Sequence, residues 1–148
     1  GKDLLVVGIL KGSVLFTSDL IKNISIPCEI DFMAVSSYGN SAQTSGVVRI
    51  LKDLDSDIEN KHVLIVEDIV DTGTTLSYLL EYLKARKAAS IEIVALLDKE
   101  ARRTSNVSAK YKGFDVPDEF IVGYGIDYAE KYRNLPFIGA LKEEIYNK

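Results

Sequence analysis

The sequence predicts an α/β domain with a mostly parallel central sheet and helices on its faces. Three apolar runs, at residues 4–9, 63–66 and 91–97, have the length and composition of strands that are buried on both faces. Leucines that follow the second run are spaced at i, i+3, i+4 and i+7, which predicts a helix packed on the sheet: Leu76, Leu79, Leu80 and Leu83. Strands that alternate with helices are typical of parallel sheets.

The first predicted strand ends at Lys11, Gly12 and Ser13. The next apolar residues predict a helix that Ser13 is placed to cap: Phe16, Leu20, Ile21 and Ile24. The loop between strand and helix is either an ordinary turn with an exposed lysine or a binding loop, and its spacing alone does not decide between them. A length of 148 residues is typical of one domain, which we expect to cover residues 1–148.

A predicted hairpin follows, with strands at residues 28–36 and 47–51. Its polar loop, at residues 37–45, contains Ser37 and Tyr38. The loop is either a solvated hairpin tip or a lid over a binding site, and the sequence favours the two equally.

Several polar residues are expected to have no part in chemistry. The charged segment at residues 52–61 is interpreted as a solvated connection, and Arg102 and Arg103 as solvated side chains. Cys28, the only cysteine, is expected to be a buried and inert thiol. His62, the only histidine, is expected at the surface or at a strand edge without a catalytic role.

The stretch at residues 63–75 concentrates the chemistry. Glu67, Asp68 and Asp71 come at the carboxyl end of a buried strand, the edge where parallel α/β sheets bind ligands. Residues 72–75 supply hydroxyls, a glycine and backbone N–H groups at a helix N-terminus, which suits a phosphate. The acids would repel a phosphate but suit hydroxyl groups or a divalent cation. A ribose 5-phosphate is the simplest ligand that fits both halves, and Asp71 would lie near its reacting carbon.

Three separated motifs carry a resemblance to a known family. VLIVEDIVDTGTT, at residues 63–75, resembles the signature of the type I phosphoribosyltransferases, which bind 5-phosphoribosyl 1-diphosphate (PRPP). LKGS at residues 10–13 and VPDEFIVGYGIDYAEKYRNLPFIG at residues 116–139 look like hypoxanthine-guanine phosphoribosyltransferases. The resemblance implies the type I phosphoribosyltransferase fold with a small base-binding lobe at about residues 114–133. The family has a helical segment before the first strand, so the chain looks short at its N-terminus.

The resemblance also implies roles for the PRPP half of the site. The acids Glu67 and Asp68 hold the ribose hydroxyls, and Asp71 is the candidate catalytic base. The remaining PRPP residues hold the 5-phosphate, namely Thr72, Gly73, Thr74 and Thr75, or the diphosphate, namely Lys11, Gly12 and Arg133. The diphosphate loop at Lys11 often contains a cis peptide bond in this family. The cofactor implied is Mg²⁺, with Glu67, Asp68 and Asp127 at the metal.

The base half follows from the same resemblance. Lys99, just past the strand at residues 91–97, would donate to the 6-oxygen of a purine, which distinguishes 6-oxopurines from adenine. Phe120 would stack on the base, the backbone of Ile121 would meet its edge, and Asp127 would lie near metal and base. Ser37 and Tyr38 would form a flap that excludes water. Short strands are also expected at residues 120–124 and 137–141, with a frayed end at residues 142–148.

The implied reaction is transfer of the phosphoribosyl group from PRPP to N9 of hypoxanthine or guanine, in purine salvage. We expect a cytoplasmic homodimer or homotetramer with PRPP and a 6-oxopurine as substrates, and no membrane or nucleic-acid partner. Two rival classes fit the sequence less well. A net charge of −4 and the base-binding residues speak against a nucleic-acid regulator that keeps the fold. The hydroxyl-rich loop at residues 72–75 speaks against a Mg²⁺-dependent phosphohydrolase or a receiver-like domain.

Overall fold

The computed structural model describes residues 3–37 and 48–146, and strands alternate with helices along most of the chain. The elements are β1 (Leu4–Leu10), α1 (Val14–Ile21), β2 (Glu29–Ser37), β3 (Val48–Lys52), β4 (His62–Val70), α2 (Thr74–Lys84), β5 (Ser90–Asp98), a 3-10 turn (Glu100–Arg102), β6 (Tyr111–Asp115), β7 (Ile121–Val122), β8 (Gly139–Ala140) and α3 (Glu143–Tyr146). Within the described ranges, no helix is both long enough and apolar enough to cross a lipid bilayer.

The main sheet has six strands in the order β3-β2-β1-β4-β5-β6. All of its pairs are parallel except β2 with β3, which are antiparallel. The predicted mostly parallel sheet and the predicted hairpin are therefore confirmed. Because β1, β4 and β5 are neighbours, the loops that follow them open at the same edge of the sheet, although they lie far apart in sequence.

Alternate residues of the central strands pack on opposite faces of the sheet. Val7 and Ile65 belong to a core on one face that is covered by the apolar residues of α2: Leu76, Leu79 and Leu83. Val6 and Val66 belong to a core on the other face, where Phe16 and other residues of α1 pack. One helix therefore covers each face, and the predicted apolar face of α2 is confirmed. The predicted face of α1 is confirmed except at Ile24, which packs on the same core but lies beyond the end of the helix.

A small lobe follows β6 and packs on the end of the sheet. Its two-stranded antiparallel sheet joins β7 to β8, so the strands expected near residues 120–124 and 137–141 exist but are short. Leu97, Ile121 and Ile126 form the core between lobe and sheet. We expected residues 142–148 to be frayed, and this was wrong for residues 143–146, which form α3. The lobe therefore extends beyond its predicted limit at residue 133.

The predicted cap of α1 was wrong in its chemistry. Ser13 does precede the helix, but its side chain makes no capping hydrogen bond. Its buried hydroxyl instead donates to the carbonyl of Ile9 at 2.7 Å and is 3.3 Å from the hydroxyl of Thr17. The hydroxyl therefore ties the helix start back to β1.

One segment and one residue that were expected to have no part in chemistry differ from the prediction in their burial. The segment at residues 52–61 is only partly solvated, because Leu54 and Ile58 are buried in the core and Asp53 accepts from Arg86 at 3.0 Å. Cys28 is partly buried rather than fully buried.

His62 opens β4 at the amino end of the strand. Its Nδ1 lies 2.6 Å from the hydroxyl of Ser90, at the end of the strands opposite to the loops after β1 and β4. His62 therefore lies at the end of a strand, as expected.

Candidate active site

The first cavity, of about 350 Å³, opens where β1 and β4 end and α2 begins. It brings together most residues that the sequence assigned to the sugar, the phosphate and the diphosphate: Lys11, Gly12, Glu67, Asp68, Asp71, Thr72, Gly73, Thr74, Thr75, Asp127 and Arg133. The loops meet because β1 and β4 are paired, with Gly8 opposite Val66. The cavity is therefore a product of strand order rather than of closeness in sequence.

Glu67 and Asp68, near the end of β4, are partly buried carboxyl groups. Burial raises the pKa of Glu67 well above its ordinary value, and the neighbouring charge of Asp68 raises it further. Burial also raises the pKa of Asp68 to about 6, against the effect of the Ile69 N–H, which donates to its Oδ1 at 2.7 Å. This end of the cavity therefore suits groups that can compensate negative charge, such as a cation or hydroxyl donors.

Gly12 lies directly against the carboxyl group of Asp68. A Cβ at this position would overlap Asp68 Oδ2, so only glycine lets the loop after β1 approach β4 this closely. The peptide bond between Leu10 and Lys11, at the start of the same loop, is cis. The family resemblance implies a cis peptide at Lys11-Gly12, and the cis bond lies one peptide earlier in the same loop.

The loop before α2 turns at Gly73, whose φ of 85° lies in the left-handed region that favours glycine. A second segment holds this loop from outside. Thr104 N–H and Ser105 Oγ both donate to the carbonyl of Thr72, at 3.0 and 3.1 Å, and Arg103 Nε donates to the carbonyl of Asp71 at 3.1 Å. The hydroxyls and N–H groups of the phosphate cradle are therefore presented by a doubly supported turn.

Arg103 was expected to be solvated, and that expectation was wrong. Its side chain is only 15% exposed and forms an ion pair with Asp98 at the end of β5. Its Nη1 also donates to the carbonyl of Val107 at 2.8 Å. Arg103 therefore braces the loop before α2 rather than facing water.

Lys11 and Arg133, the two cations assigned to the diphosphate, lie on the same side of the first cavity. Arg133 is held by the lobe, where its Nη1 donates to the carbonyl of Gly125 at 2.7 Å and its Nη2 lies 3.6 Å from Asp127. Lys11 extends from the loop after β1 and is largely exposed. Both cations contact Glu130, a residue that the sequence reading did not single out.

The second cavity, of about 380 Å³, lies beside the first, between β4, β5 and the lobe. It contains the residues that the sequence assigned to a purine, together with others that the sequence reading left out: Ile69, Asp71, Lys99, Arg102, Asp118, Glu119, Phe120, Ile121, Ile126, Asp127 and Tyr146. Phe120 is packed between Tyr128, at a ring distance of 5.4 Å, and Tyr146, at 4.9 Å. The C-terminal helix therefore supplies part of an aromatic wall.

Asp71 lies at the boundary of the two cavities, which share Ile69, Asp71 and Asp127. The ammonium of Lys99, on a side chain only 9% exposed, is 4.0 Å from its Oδ2. The Nε of Arg102 forms an ion pair with Oδ1 at 2.8 Å, but among the described residues no group makes a hydrogen bond with this buried oxygen. Asp71 is therefore held between two cations, Lys99 and Arg102, where the two cavities meet.

Carboxylates close enough to share one metal ion occur elsewhere. In the described part of the chain, oxygens of Asp98, Glu100 and Asp115 lie within 4.8 Å of one another. Lys112 already occupies this cluster, with its ammonium 2.8 Å from Asp115 and 3.3 Å from Glu100. Glu67, Asp68 and Asp127 do not form such a group by themselves, so an ion at the predicted place would need oxygens from a ligand.

The sequence reading missed three residues that line the second cavity, namely Arg102, Asp118 and Tyr146, and it missed Glu130, which contacts Lys11 and Arg133. Arg102 was expected to be solvated, but it bridges Asp71 and Asp118, the latter at 3.6 Å. None of these residues follows an apolar strand directly, so no local pattern marks them. The flap assigned to Ser37 and Tyr38 lies outside the described residues, apart from the backbone of Ser37 at the end of β2.

Comparisons with known proteins agree with this geometry. The model of the phosphoribosyl transferase domain family matches residues 1–129. The chain is 59% identical over 147 residues to a hypoxanthine-guanine phosphoribosyltransferase of Staphylococcus aureus, which covers 99% of this chain and 82% of that protein. It is 55% identical to part of the bifunctional protein TilS/HprT of Listeria monocytogenes, covering all of this chain and 23% of that protein.

Among solved structures, a hypoxanthine phosphoribosyltransferase of Staphylococcus aureus superimposes with a TM-score of 0.97 at 59% identity. The match covers 100% of this chain and 80% of that one. A hypoxanthine-guanine phosphoribosyltransferase of Bacillus anthracis has a TM-score of 0.91 at 49% identity, covering 96% and 84%. These similarities extend across both cavities.

Proposed function

We propose, since this chain belongs to the phosphoribosyltransferase family, that its two joined cavities bind PRPP and a 6-oxopurine side by side. The activity is that of a hypoxanthine-guanine phosphoribosyltransferase, a pentosyltransferase of purine salvage that forms IMP or GMP and diphosphate. One observation carries the proposal: Ile69, Asp71 and Asp127 line both cavities. A ligand in each cavity would meet the other at these residues, as a group transfer requires.

PRPP occupies the first cavity with its charged groups at opposite ends. Glu67 and Asp68 accept hydrogen bonds from the ribose hydroxyls. The 5-phosphate lies at the start of α2, in the cradle formed by Thr72, Gly73, Thr74 and Thr75. Support for this orientation comes from charge, because the acids would repel the phosphate and the cradle would not.

The diphosphate lies at the other end, where Lys11 and Arg133 are the available cations and Gly12 contributes backbone. The planar guanidinium of Arg133 can hold two oxygens at once, and its anchor on the carbonyl of Gly125 keeps it oriented. The leaving group would thus be gripped from β1 and from the lobe together.

Enzymes of this family require a divalent metal ion. We assign this ion as Mg²⁺, with Glu67, Asp68 and Asp127 as its nearest protein carboxylates. The residues fit it because burial raises the pKa of both Glu67 and Asp68, and a nearby cation would offset that cost. Mg²⁺ is commonly held by one or two carboxylates together with ligand oxygens, which agrees with the spacing of these acids. When bound, it neutralises negative charge on the leaving diphosphate.

The purine occupies the second cavity against Phe120, with the backbone of Ile121 at its edge. The ammonium of Lys99 donates to the 6-oxygen, a contact that adenine cannot accept because its 6-amino group is a donor. Adenine would instead place its own 6-amino donor against the ammonium donor of Lys99, with no acceptor between them, which disfavours adenine strongly.

The reaction is a displacement at the anomeric carbon. The bond from this carbon to the diphosphate breaks, and the diphosphate leaves with the electron pair. Positive charge therefore develops on the ribose. N9 of the purine then forms the new bond, while Asp71 takes the proton from N7. The position of Asp71 supports this role, because it lines both cavities and lies 4.0 Å from the ammonium proposed to bind the 6-oxygen.

The test is direct. The protein is incubated with PRPP and Mg²⁺ and with hypoxanthine, guanine, xanthine or adenine separately, and the nucleotides are separated by chromatography. We expect IMP and GMP with release of diphosphate and no AMP. Absence of IMP and GMP would contradict the proposal, and formation of AMP would contradict the role of Lys99. XMP formation would show how far the 2-position is tolerated.

We further propose that the enzyme works in the cytoplasm as a homodimer or homotetramer. Light scattering coupled to size-exclusion chromatography at the working concentration gives the molar mass directly. A single species at the monomer mass would contradict the oligomer.

A further inference from the structure

We infer that Glu130 takes the place of the diphosphate in the ligand-free protein and competes with PRPP for Lys11 and Arg133. The inference rests on the proposed function, because it assumes that these two cations bind the diphosphate. Glu130 Oε2 lies 3.4 Å from Lys11 Nζ and 3.3 Å from Arg133 Nε, and Oε1 lies 3.2 Å from Arg133 Nη2. One carboxylate thus bridges both cations that the diphosphate needs.

The contacts are those that an anionic ligand would make. A carboxylate offers two oxygens in a plane, which match the guanidinium fork as a phosphate group does. Two cations face the Glu130 carboxylate, so its negative charge is paired on both sides as that of a bound anion would be. A second anion cannot use the same donors while this carboxylate holds them.

The backbone holds Glu130 in this place. Ala129 and Glu130 have φ values of 50° and 66°, in the left-handed region that residues with a side chain rarely adopt. The N–H of Glu130 donates to Oδ2 of Asp127 at 2.8 Å, and this hydrogen bond stabilises the turn. The carboxylate is therefore set over the cations by an unfavourable turn, not by chance contact of a mobile side chain.

Glu130 is not required to orient Arg133. The guanidinium has anchors that do not involve this carboxylate: its Nη1 donates to the carbonyl of Gly125 at 2.7 Å, and its Nη2 lies 3.6 Å from Asp127. The Glu130 side chain is 63% exposed and Lys11 is 68% exposed, and exposed ion pairs contribute little stability. A weak and accessible contact suits a group that is displaced each time the substrate binds.

The test compares two ligands that differ only in the diphosphate. Binding of PRPP and of ribose 5-phosphate is measured by calorimetry with Mg²⁺ and without a purine, for the wild type, Glu130→Gln and Glu130→Ala. We expect PRPP to bind about two- to fivefold more tightly to both variants, the scale of one exposed ion pair, and ribose 5-phosphate to bind as before. Unchanged or weaker PRPP binding to the variants would overturn the inference.

Two further variants separate contact from general charge. Glu130→Asp keeps the charge but shortens the side chain, so competition by contact predicts tighter PRPP binding here as well. If Glu130→Asp behaves as the wild type while Glu130→Gln binds more tightly, the effect is long-range charge and the inference fails. Glu81→Gln is the matched control, because Glu81 forms an equivalent ion pair with Lys84 on α2, and its affinity for PRPP should not change.

Failure of the proposed function gives a different result. If the wild type binds neither PRPP nor ribose 5-phosphate, the assignment of the first cavity is wrong. If Arg133→Gln leaves PRPP affinity intact, the diphosphate does not lie at this cation. Clear PRPP binding that is weakened by Arg133→Gln but not strengthened by Glu130→Gln would overturn only the role of Glu130.

Discussion

The ammonium of Lys99 lies 4.0 Å from Oδ2 of Asp71, at the boundary of the two cavities. This pair places a proton donor and a proton acceptor next to each other. A 6-oxopurine has the complementary pair on one edge, with the 6-oxygen as acceptor and the N7–H as donor. The two side chains can therefore bind the same ring edge. Substitution of each one should have a different kinetic effect.

Asp71→Asn should reduce kcat by about 10²–10⁴-fold, because the amide cannot take the proton from N7. Affinity for PRPP should stay nearly the same. Steady-state kinetics with hypoxanthine measures both quantities, and Asp55→Asn, a change at an exposed residue outside both cavities, is the control. An unchanged kcat in Asp71→Asn would show that another group is the base.

Lys99→Met should reduce kcat/KM for hypoxanthine by about 10- to 100-fold, the scale of one hydrogen bond from a charged donor. The methionine fills similar space but cannot donate to the 6-oxygen. Titration of the purine at saturating PRPP measures the loss. The control is Lys110→Met, which removes the same charge from an exposed position. Equal loss in both variants would remove the specific role of Lys99.

Phe120→Leu should raise KM for the purine by about 2- to 10-fold, because stacking is lost while apolar contact remains. The value of kcat should change less. The same purine titration reads the effect, with Phe114→Leu as control, since Phe114 is an exposed phenylalanine of β6 outside both cavities. A purine KM that does not move in Phe120→Leu would place the base elsewhere.

Gly12→Ala should reduce kcat/KM for PRPP by at least about tenfold, because the new Cβ overlaps the carboxyl group of Asp68 and forces loop and acid apart. Gly139→Ala is the matched control, since a Cβ there would meet its nearest atom, in Phe137, at an ordinary 3.8 Å. PRPP titrations on both variants make the comparison. Comparable activity of the two would contradict the close packing of Gly12 on Asp68.

Asp68→Asn should change how stability depends on pH. Burial raises the pKa of Asp68 from its ordinary 3.8 to about 6, so the folded protein keeps a proton that the unfolded chain releases between these values. The stability contributed by Asp68 is full below pH 3.8 and is lost as the pH rises through about 6. The variant lacks this loss, so its stability relative to the wild type should increase between about pH 4 and 7, by about 1–3 kcal/mol.

Urea unfolding of the ligand-free protein at several pH values measures this difference in the free energy of unfolding. Asp3→Asn, at an exposed residue, is the control and should show no comparable trend. A difference between Asp68→Asn and the wild type that stays constant with pH would contradict the raised pKa.

Local sequence patterns were enough to predict most of the fold and part of the candidate site. The apolar runs of β1, β4 and β5 and the leucines of α2 follow directly from burial on one or both sheet faces. The residues proposed to bind the sugar and the phosphate could be singled out because they lie at the end of β4 or directly after it. Each of these features can be recognised from a stretch of about a dozen residues.

Features that depend on distant partners were not visible in this way. Arg103 looks like an exposed residue of a polar stretch, but it contacts the backbone of Asp71, 32 residues away. Glu130 and Lys11 are 119 residues apart and meet only because the lobe folds back over the loop after β1. Tyr146 lies in a charged terminal stretch, and its contact with Phe120 depends on where α3 docks. Chain topology, rather than local composition, decides all three positions.

The sharing of Ile69, Asp71 and Asp127 by both cavities limits how the enzyme can be redesigned. A change at any of them, made to admit another nucleobase, also alters the first cavity, in which we propose that PRPP binds. Residues that face only the base are free of this constraint: Lys99, Arg102, Asp118, Glu119, Phe120 and Tyr146. Libraries for altered base preference should therefore vary this outer set and keep the common wall fixed.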